Sequence, residues 1–453
     1  MEKFLKKIQE IRENQTIRKK IIFTLVMLAV YRLLVLIPVP FVDISALMTK
    51  TLEASAWWSG LSYFLMLLWG SVDQFSIIAV GLAAYINASI IMQLLGSVIP
   101  HLEELTEQGE AGQQRIAQYT RYLAVPLAFL QSIGMVFFIN YLLWGNVINT
   151  ALPNLLMSAF VLTVWSILLM RIGELITEKG VSNGISLLIF SSIVAGMTQQ
   201  IYSSVSGSDS VIGIIIFMLV IVLVLIFLSI FILKSIKEIP VIYARRGKVQ
   251  ESSSLPIPMN PVGMVPIIFS IAFVSFPYLI SKLITQFQPM NTKLVAIANR
   301  VEMNLNIYSQ QPGILAILLY FVLIIVFTFF YTLIVFSPEK ISDNIQKRWG
   351  FVPGIRPGKE TAKYINGILM HLCLRGGVGL GLIGIYSYVL TYIPFVQDLV
   401  QSLGSLPMIV TGSGVIIIVG VVQDIVGKIK SDMLMQKYDT IDLTHVDKNI
   451  RGL

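Results

Sequence analysis

Cysteine is nearly missing from this chain. The single Cys373 excludes an intrachain disulfide and any cysteine-cluster metal site, and its apolar surroundings suit a small buried residue. Histidine is scarce too. His101, His371 and His445 stand far apart, which argues against a metal centre. Charge is the third shortage: only 13% of the 453 residues are Asp, Glu, Lys or Arg. A soluble domain carries about a quarter. No GxxxxGK[ST] occurs, so the chain does not hydrolyse a nucleotide through a P-loop.

Apolar residues are abundant instead, at 55% of the chain, and the mean hydropathy is +0.79. Apolar runs fall near 21–40, 72–99, 119–142, 151–172, 183–203, 211–236, 261–286, 312–337, 364–394 and 402–428. Each approaches the roughly 20 residues a helix needs to cross about 30 Å of hydrocarbon. Ten spans follow, an all-α polytopic membrane protein. The basic lead and the run at 21–37 are both too long for a cleaved signal peptide, so the first run reads as a retained span.

An even number of spans puts both termini on one side. Of the 33 Lys and Arg, one side receives only Lys50, Lys282, Lys293 and Arg300; Arg32, Arg121 and Arg375 lie in or beside spans, and all others share the opposite side. The positive-inside rule makes that basic side cytoplasmic and puts both termini there. The net charge of +8 is thus mainly a topology signal rather than a nucleic-acid surface.

Segment 1–20 alternates Lys with Phe4, Leu5, Ile8 and Ile11, which share one helical face. It reads as a cytoplasmic amphipathic helix, with a plain basic tail as the bland alternative. Two cytoplasmic loops, 237–260 and 338–363, are long and rich in basic residues, Gly and Pro. Topology explains their charge but not their length, and length points to docking.

Local motifs are more specific. ELITEKGVSNGISLLI (Glu174–Ile189) sets charges and two glycines directly against an apolar run. LAAYINASIIMQLLGSVIP occupies 82–100, and QRIAQYTRYLAVPLAFLQSIG occupies 114–134. EIPVIYARR and LPIPMNPVGMVPIIF fall within 238–269, and FVPGIRPGKETAKY covers 351–364. In this order they resemble the SecY family, the protein-conducting channels of the Sec complex. Departures are Ala84 where that family usually has Pro, PVPFVD where PxPGxD is usual, and a short GKVQESSS between Arg246 and Leu255. The last bears on docking strength at that loop.

The resemblance implies a passive channel for unfolded polypeptides that also releases transmembrane segments sideways into lipid. It implies two pseudo-symmetric halves of five spans, 21–203 and 204–428, hinged between spans five and six, with a cytoplasmic tail at 429–453. Leu82, Ile86, Ile185, Ile189, Ile268 and Ile417 would form an apolar pore ring, which disfavours ions yet yields to a passing chain. Aliphatic residues in spans otherwise simply pack. Residues 56–71, with Gly60, Leu61, Tyr63, Phe64, Leu67 and Gly70, would be a re-entrant plug. Their alternative is an external interfacial helix with Trp57, Trp58 and Trp69 at the headgroups. Asn87, Gln93, Gln131 and Asn260 would line a lateral gate, or else be satisfied packing residues. Arg245, Arg246, Lys248, Arg356 and Lys359 would dock cytoplasmic partners; the plain alternative for Arg356 is a topology charge.

The implied partners are SecE-like and SecG-like small membrane subunits, a SecA-like motor ATPase, ribosomes, secretory preproteins and nascent membrane proteins, and the lipid bilayer. No cofactor or enzymatic activity is implied. The expected location is the bacterial inner membrane, with a plastid membrane also open. A secondary solute transporter is the rival. It suits ten spans, but coupled carriers usually bury midplane carboxylates, and here Asp73 and Asp424 lie near span ends.

Overall fold

The computed structural model describes residues 14–40, 76–142, 151–206, 211–243, 251–261, 263–287, 292–307, 312–393 and 412–450. The helices are α1 (Gln15–Val35), α2 (Ala83–Val98), α3 (Pro100–Glu107), α4 (Glu110–Leu142), α5 (Leu152–Lys179), α6 (Gly184–Ser206) and α7 (Val211–Lys234). Strands β1 (Ile236–Tyr243) and β2 (Glu251–Pro258) follow. Next come α8 (Val265–Phe287), α9 (Thr292–Leu305), α10 (Ile314–Val335), α11 (Pro338–Lys347), β3 (Gly350–Phe351), α12 (Lys359–Leu390) and α13 (Gly412–Ile450).

Each of the ten apolar runs carries a helix. Among the described residues, five helices are long and apolar enough to cross a membrane by themselves: α4, α5, α10, α12 and α13. Helix α7 is apolar all round, and its Leu219, Val220, Leu223, Val224, Phe227 and Phe231 are exposed. In water that surface would be costly; against lipid it is matched. The second run begins later than its hydropathy suggests. Ile77 N–H donates to Ile37 O (2.9 Å), and residues 76–82 form buried turns before α2 starts.

The chain divides into two compact units. One is Met1–Gly196 with Val421–Leu453; the other is Met197–Gly420. In the first, Asn14 caps α1 by accepting from the N–H of Thr16 and Ile17 (3.1 and 3.3 Å). Lys20 on α1 pairs with Asp432 on α13 at 2.6 Å. In the second, α10 lies against α12 along Gly377, Gly381 and Gly384. An added Cβ there would meet Thr328, Phe321 and Ile324, the close packing that small residues permit between membrane helices.

The described parts of 237–260 and the region 338–363, expected as loops, are folded. β1 and β2 form an antiparallel hairpin, and β3 joins β1 through Ile242↔Phe351 and Tyr243↔Gly350, giving the order β2-β1-β3. Ile239 and Val241 alternate onto one face and are buried. They share a core with Ile257, Ile345, Val352, Ile365, Leu369 and Cys373. Helix α12 has 32 residues, about 48 Å at 1.5 Å per residue. That exceeds a bilayer core, and the sheet packs on its first half. Composition hid this platform because its two long strands are Pro-bearing and apolar on one face only.

Candidate functional site

The turn joining α5 to α6 shows why its residues are what they are. Asn183 Oδ1 accepts from Ile185 N–H at 3.1 Å and Ser186 N–H at 3.4 Å, capping α6. Thr177 Oγ donates to Gly173 O (2.9 Å) and accepts from Gly184 N–H (2.8 Å). A Cβ at Gly184 would lie 2.0 Å from Gly173 O, so only glycine lets α6 start this close to α5. The turn also rests on α1, where Thr24 Oγ accepts from Val181 N–H at 3.3 Å. Glu174 binds Arg121 on α4 and Arg171 on its own helix, each at 2.6 Å. The motif therefore positions α6 relative to α1, α4 and α5.

Ring candidates occur in both units. In the first, Leu82 and Ile189 are buried and Ile86 is half-buried. Ile185 is half-buried, and its Cγ1 lies against Gly173, 3.2 Å from where a Cβ would stand. In the second, Ile417 is buried on α13 and Ile268 half-buried on α8. Among the polar candidates, Asn87 and Gln93 are exposed on α2. Gln131 on α4 is half-buried, with a buried Oε1 that no hydrogen bond satisfies. Asn260 is buried and donates from Nδ2 to Gly263 O (2.7 Å).

At the platform, Arg356 is exposed in a turn whose Gly354 and Gly358 take φ of 80° and 97°. Those values favour glycine. Thr361 Oγ donates to Arg356 O (2.9 Å) and Ser342 Oγ to Gly358 O (2.7 Å), fixing the backbone while leaving the guanidinium outside. Lys359 is exposed at the start of α12. Arg245, Arg246, Lys248, the plug residues Gly60, Leu61, Tyr63, Phe64, Leu67 and Gly70, and residues 1–13 of the amphipathic segment lie outside the described residues.

Sequence reading missed the partners inside the first unit. Arg121 and Glu174 are 53 positions apart, and nothing local links them. Arg32, noticed only as a charge within a span, donates from Nε to Ser191 Oγ on α6 at 3.1 Å, and neighbouring Tyr31 hydrogen-bonds Ser192. Among the described residues no three His, Cys, Asp or Glu gather as a metal site.

The chain is similar to known proteins over most of its length. The SecY family model matches residues 76–426. The protein translocase subunit SecY of Staphylococcus aureus (strain NCTC 8325 / PS 47) is 33% identical over 443 residues, 94% of this chain and 96% of that protein. A solved protein-conducting channel superposes with a TM-score of 0.57 at 14% identity, covering 94% of this chain and 93% of that one. Sec61 in the canine ribosome–channel complex from the endoplasmic reticulum gives 0.54 at 15% identity, with the same coverage. Helices in the order the apolar runs require, the glycine-closed α5–α6 turn and a match extending nearly end to end agree: the chain belongs to the SecY family.

Proposed function

We propose that this multi-pass membrane protein is the channel-forming subunit of a protein translocase, passing unfolded polypeptides across the bilayer and releasing transmembrane segments into lipid. The observation that carries this is the near full-length likeness to a translocase subunit. The chain is a passive pore, not an enzyme, and its driving force comes from partners: a SecA-like motor or a translating ribosome. Small SecE-like and SecG-like subunits complete the complex. Leu82, Ile86, Ile185, Ile189, Ile268 and Ile417 serve as the apolar constriction. Asn87, Gln93, Gln131 and Asn260 serve the lateral gate, where interhelical hydrogen bonds of about 0.6–2 kcal/mol hold a seam reversibly. Residues 56–71 serve as the plug, and Arg356 with Lys359 on the platform as the docking surface, joined by Arg245, Arg246 and Lys248. The direct test is whether a polypeptide stalled in transit lies against the ring residues; a solute carrier would show no such contact.

Both termini and the platform face the cytoplasm of a bacterial inner membrane, on the strength of the basic-residue asymmetry. Single cysteines replacing Lys50 and Arg300 are expected to react with an impermeant thiol reagent added outside intact cells, and those replacing Arg245 and Arg356 to react only after lysis. Outside labelling at 245 or 356 would reverse the orientation.

A further inference from the structure

An arginine within an apolar run is unfavourable, because hydrocarbon cannot solvate a guanidinium. Arg32 stands near the end of α1, in the first of the ten runs. It is half-buried, and its Nη2 is buried with no hydrogen-bond partner among the described residues. No ion pair among those residues includes it. Stability alone does not call for such a group. A buried charge replaced by an apolar side chain of similar volume is often neutral or stabilising.

What Arg32 holds is α6. Its Nε donates to Ser191 Oγ at 3.1 Å, and its neighbour Tyr31, itself buried, hydrogen-bonds Ser192. The guanidinium carbon lies over the Tyr31 ring, 5.4 Å from its centre, within reach of a cation–π contact. Adjacent residues on α1 thus grip adjacent residues on α6. Ser191 and Ser192 point about 100° apart around their helix, so the pair fixes its rotation as well as its distance. A second grip lies at the turn, where Thr24 Oγ accepts from Val181 N–H. From Thr24 to Arg32 is about 12 Å along α1, and from Gly184 to Ser191 about 10 Å along α6. The two helices therefore advance side by side between the grips, within one compact unit.

Ile185 and Ile189, proposed for the constriction, are four apart on this same stretch of α6. On a helical projection they stand roughly 70–110° round from the direction of α1. Turning α6 by part of that angle would re-aim both side chains.

We propose that Arg32 is a positioning residue: through Ser191 it sets the rotation of α6 and so the aim of Ile185 and Ile189 into the constriction. This rests on the constriction proposed above and adds what holds one wall of it. The test reconstitutes the full chain, in its assembled complex, into proteoliposomes with no polypeptide in transit and follows potassium efflux. Arg32→Met removes the guanidinium; Ser191→Ala keeps the charge and removes only its partner. Each is expected to raise efflux about 5- to 10-fold, a population shift that one lost hydrogen bond to a charged group allows. The double variant should leak no more than the leakier single, because one brace is lost only once. The unfolding temperature of Arg32→Met should stay at or above that of the wild type. Wild-type efflux in Ser191→Ala overturns the proposal even if Arg32→Met leaks, since the charge rather than the brace would then matter. Leaks that multiply in the double variant, or that come only with a lowered unfolding temperature, overturn it as well. Where Arg32→Met does not fold, Ser191→Ala decides alone, by its efflux and its unfolding temperature. Ile189→Asn separates the two readings: if it leaks and Ser191→Ala does not, the constriction stands and the positioning role falls; if Ile189→Asn does not leak, both fall.

Discussion

Gly184→Val is expected to remove most of the folded protein. The added Cβ would stand 2.0 Å from Gly173 O and 2.7 Å from Ile176 Cβ. The first obstacle is backbone, which cannot rotate aside, so α6 must separate from α5. Separation breaks the Gly184 N–H bond to Thr177 and strains the Val181 contact with Thr24. Overpacking alone costs about 1–3 kcal/mol, and the lost turn adds to it. Against a total stability of about 5–15 kcal/mol that is a large fraction. Gly134→Ala is the control: nothing lies within 4 Å of its added Cβ, and Ala favours a helix over Gly by about 1 kcal/mol. Detergent-solubilised chain should therefore give a much reduced monomer peak for Gly184→Val and an unchanged or sharper one for Gly134→Ala. A wild-type unfolding temperature for Gly184→Val would mean the two helices are not closed on each other as described.

The second large effect is functional. Arg356→Glu is expected to cut polypeptide translocation roughly tenfold or more, with assembly intact. The turn is held through the backbone carbonyls of Arg356 and Gly358 and by two left-handed glycines, and the side chain itself is exposed. Reversing its charge leaves those bonds in place. At a docked contact it replaces attraction by repulsion, a change of several kcal/mol. Import into proteoliposomes, measured beside the yield of assembled complex, separates the two effects. Normal assembly with wild-type import would reduce Arg356 to a topology charge.

Much of this architecture is legible in the sequence because a bilayer imposes it. Hydrocarbon demands long apolar runs, and every one of them carries a helix. The α5–α6 turn is legible too, since glycine is needed where two helices close and Asn183 caps the second. The platform is not. Its core joins Ile239 to Ile365 across more than a hundred residues, and Pro240, Pro256 and Pro258 argue against strands. Proline is tolerated here because β2 is an edge and β3 pairs only at Ile242 and Tyr243, beyond Pro240. Arg32 was visible as a charge within a span, but its partner Ser191 lies on a helix 159 positions later.

The central claim is that polypeptides pass through this chain between its ring residues. A photoreactive amino acid placed singly at Ile189, Ile268 or Phe227 would test it on a secretory polypeptide stalled halfway by a folded domain at its end. Ile189 and Ile268 belong to the proposed constriction, whereas Phe227 is 71% exposed on the all-apolar α7. The account predicts adducts with the stalled chain from positions 189 and 268 and none from 227. Adducts from 227 alone, or none from either ring position while translocation proceeds, would contradict it.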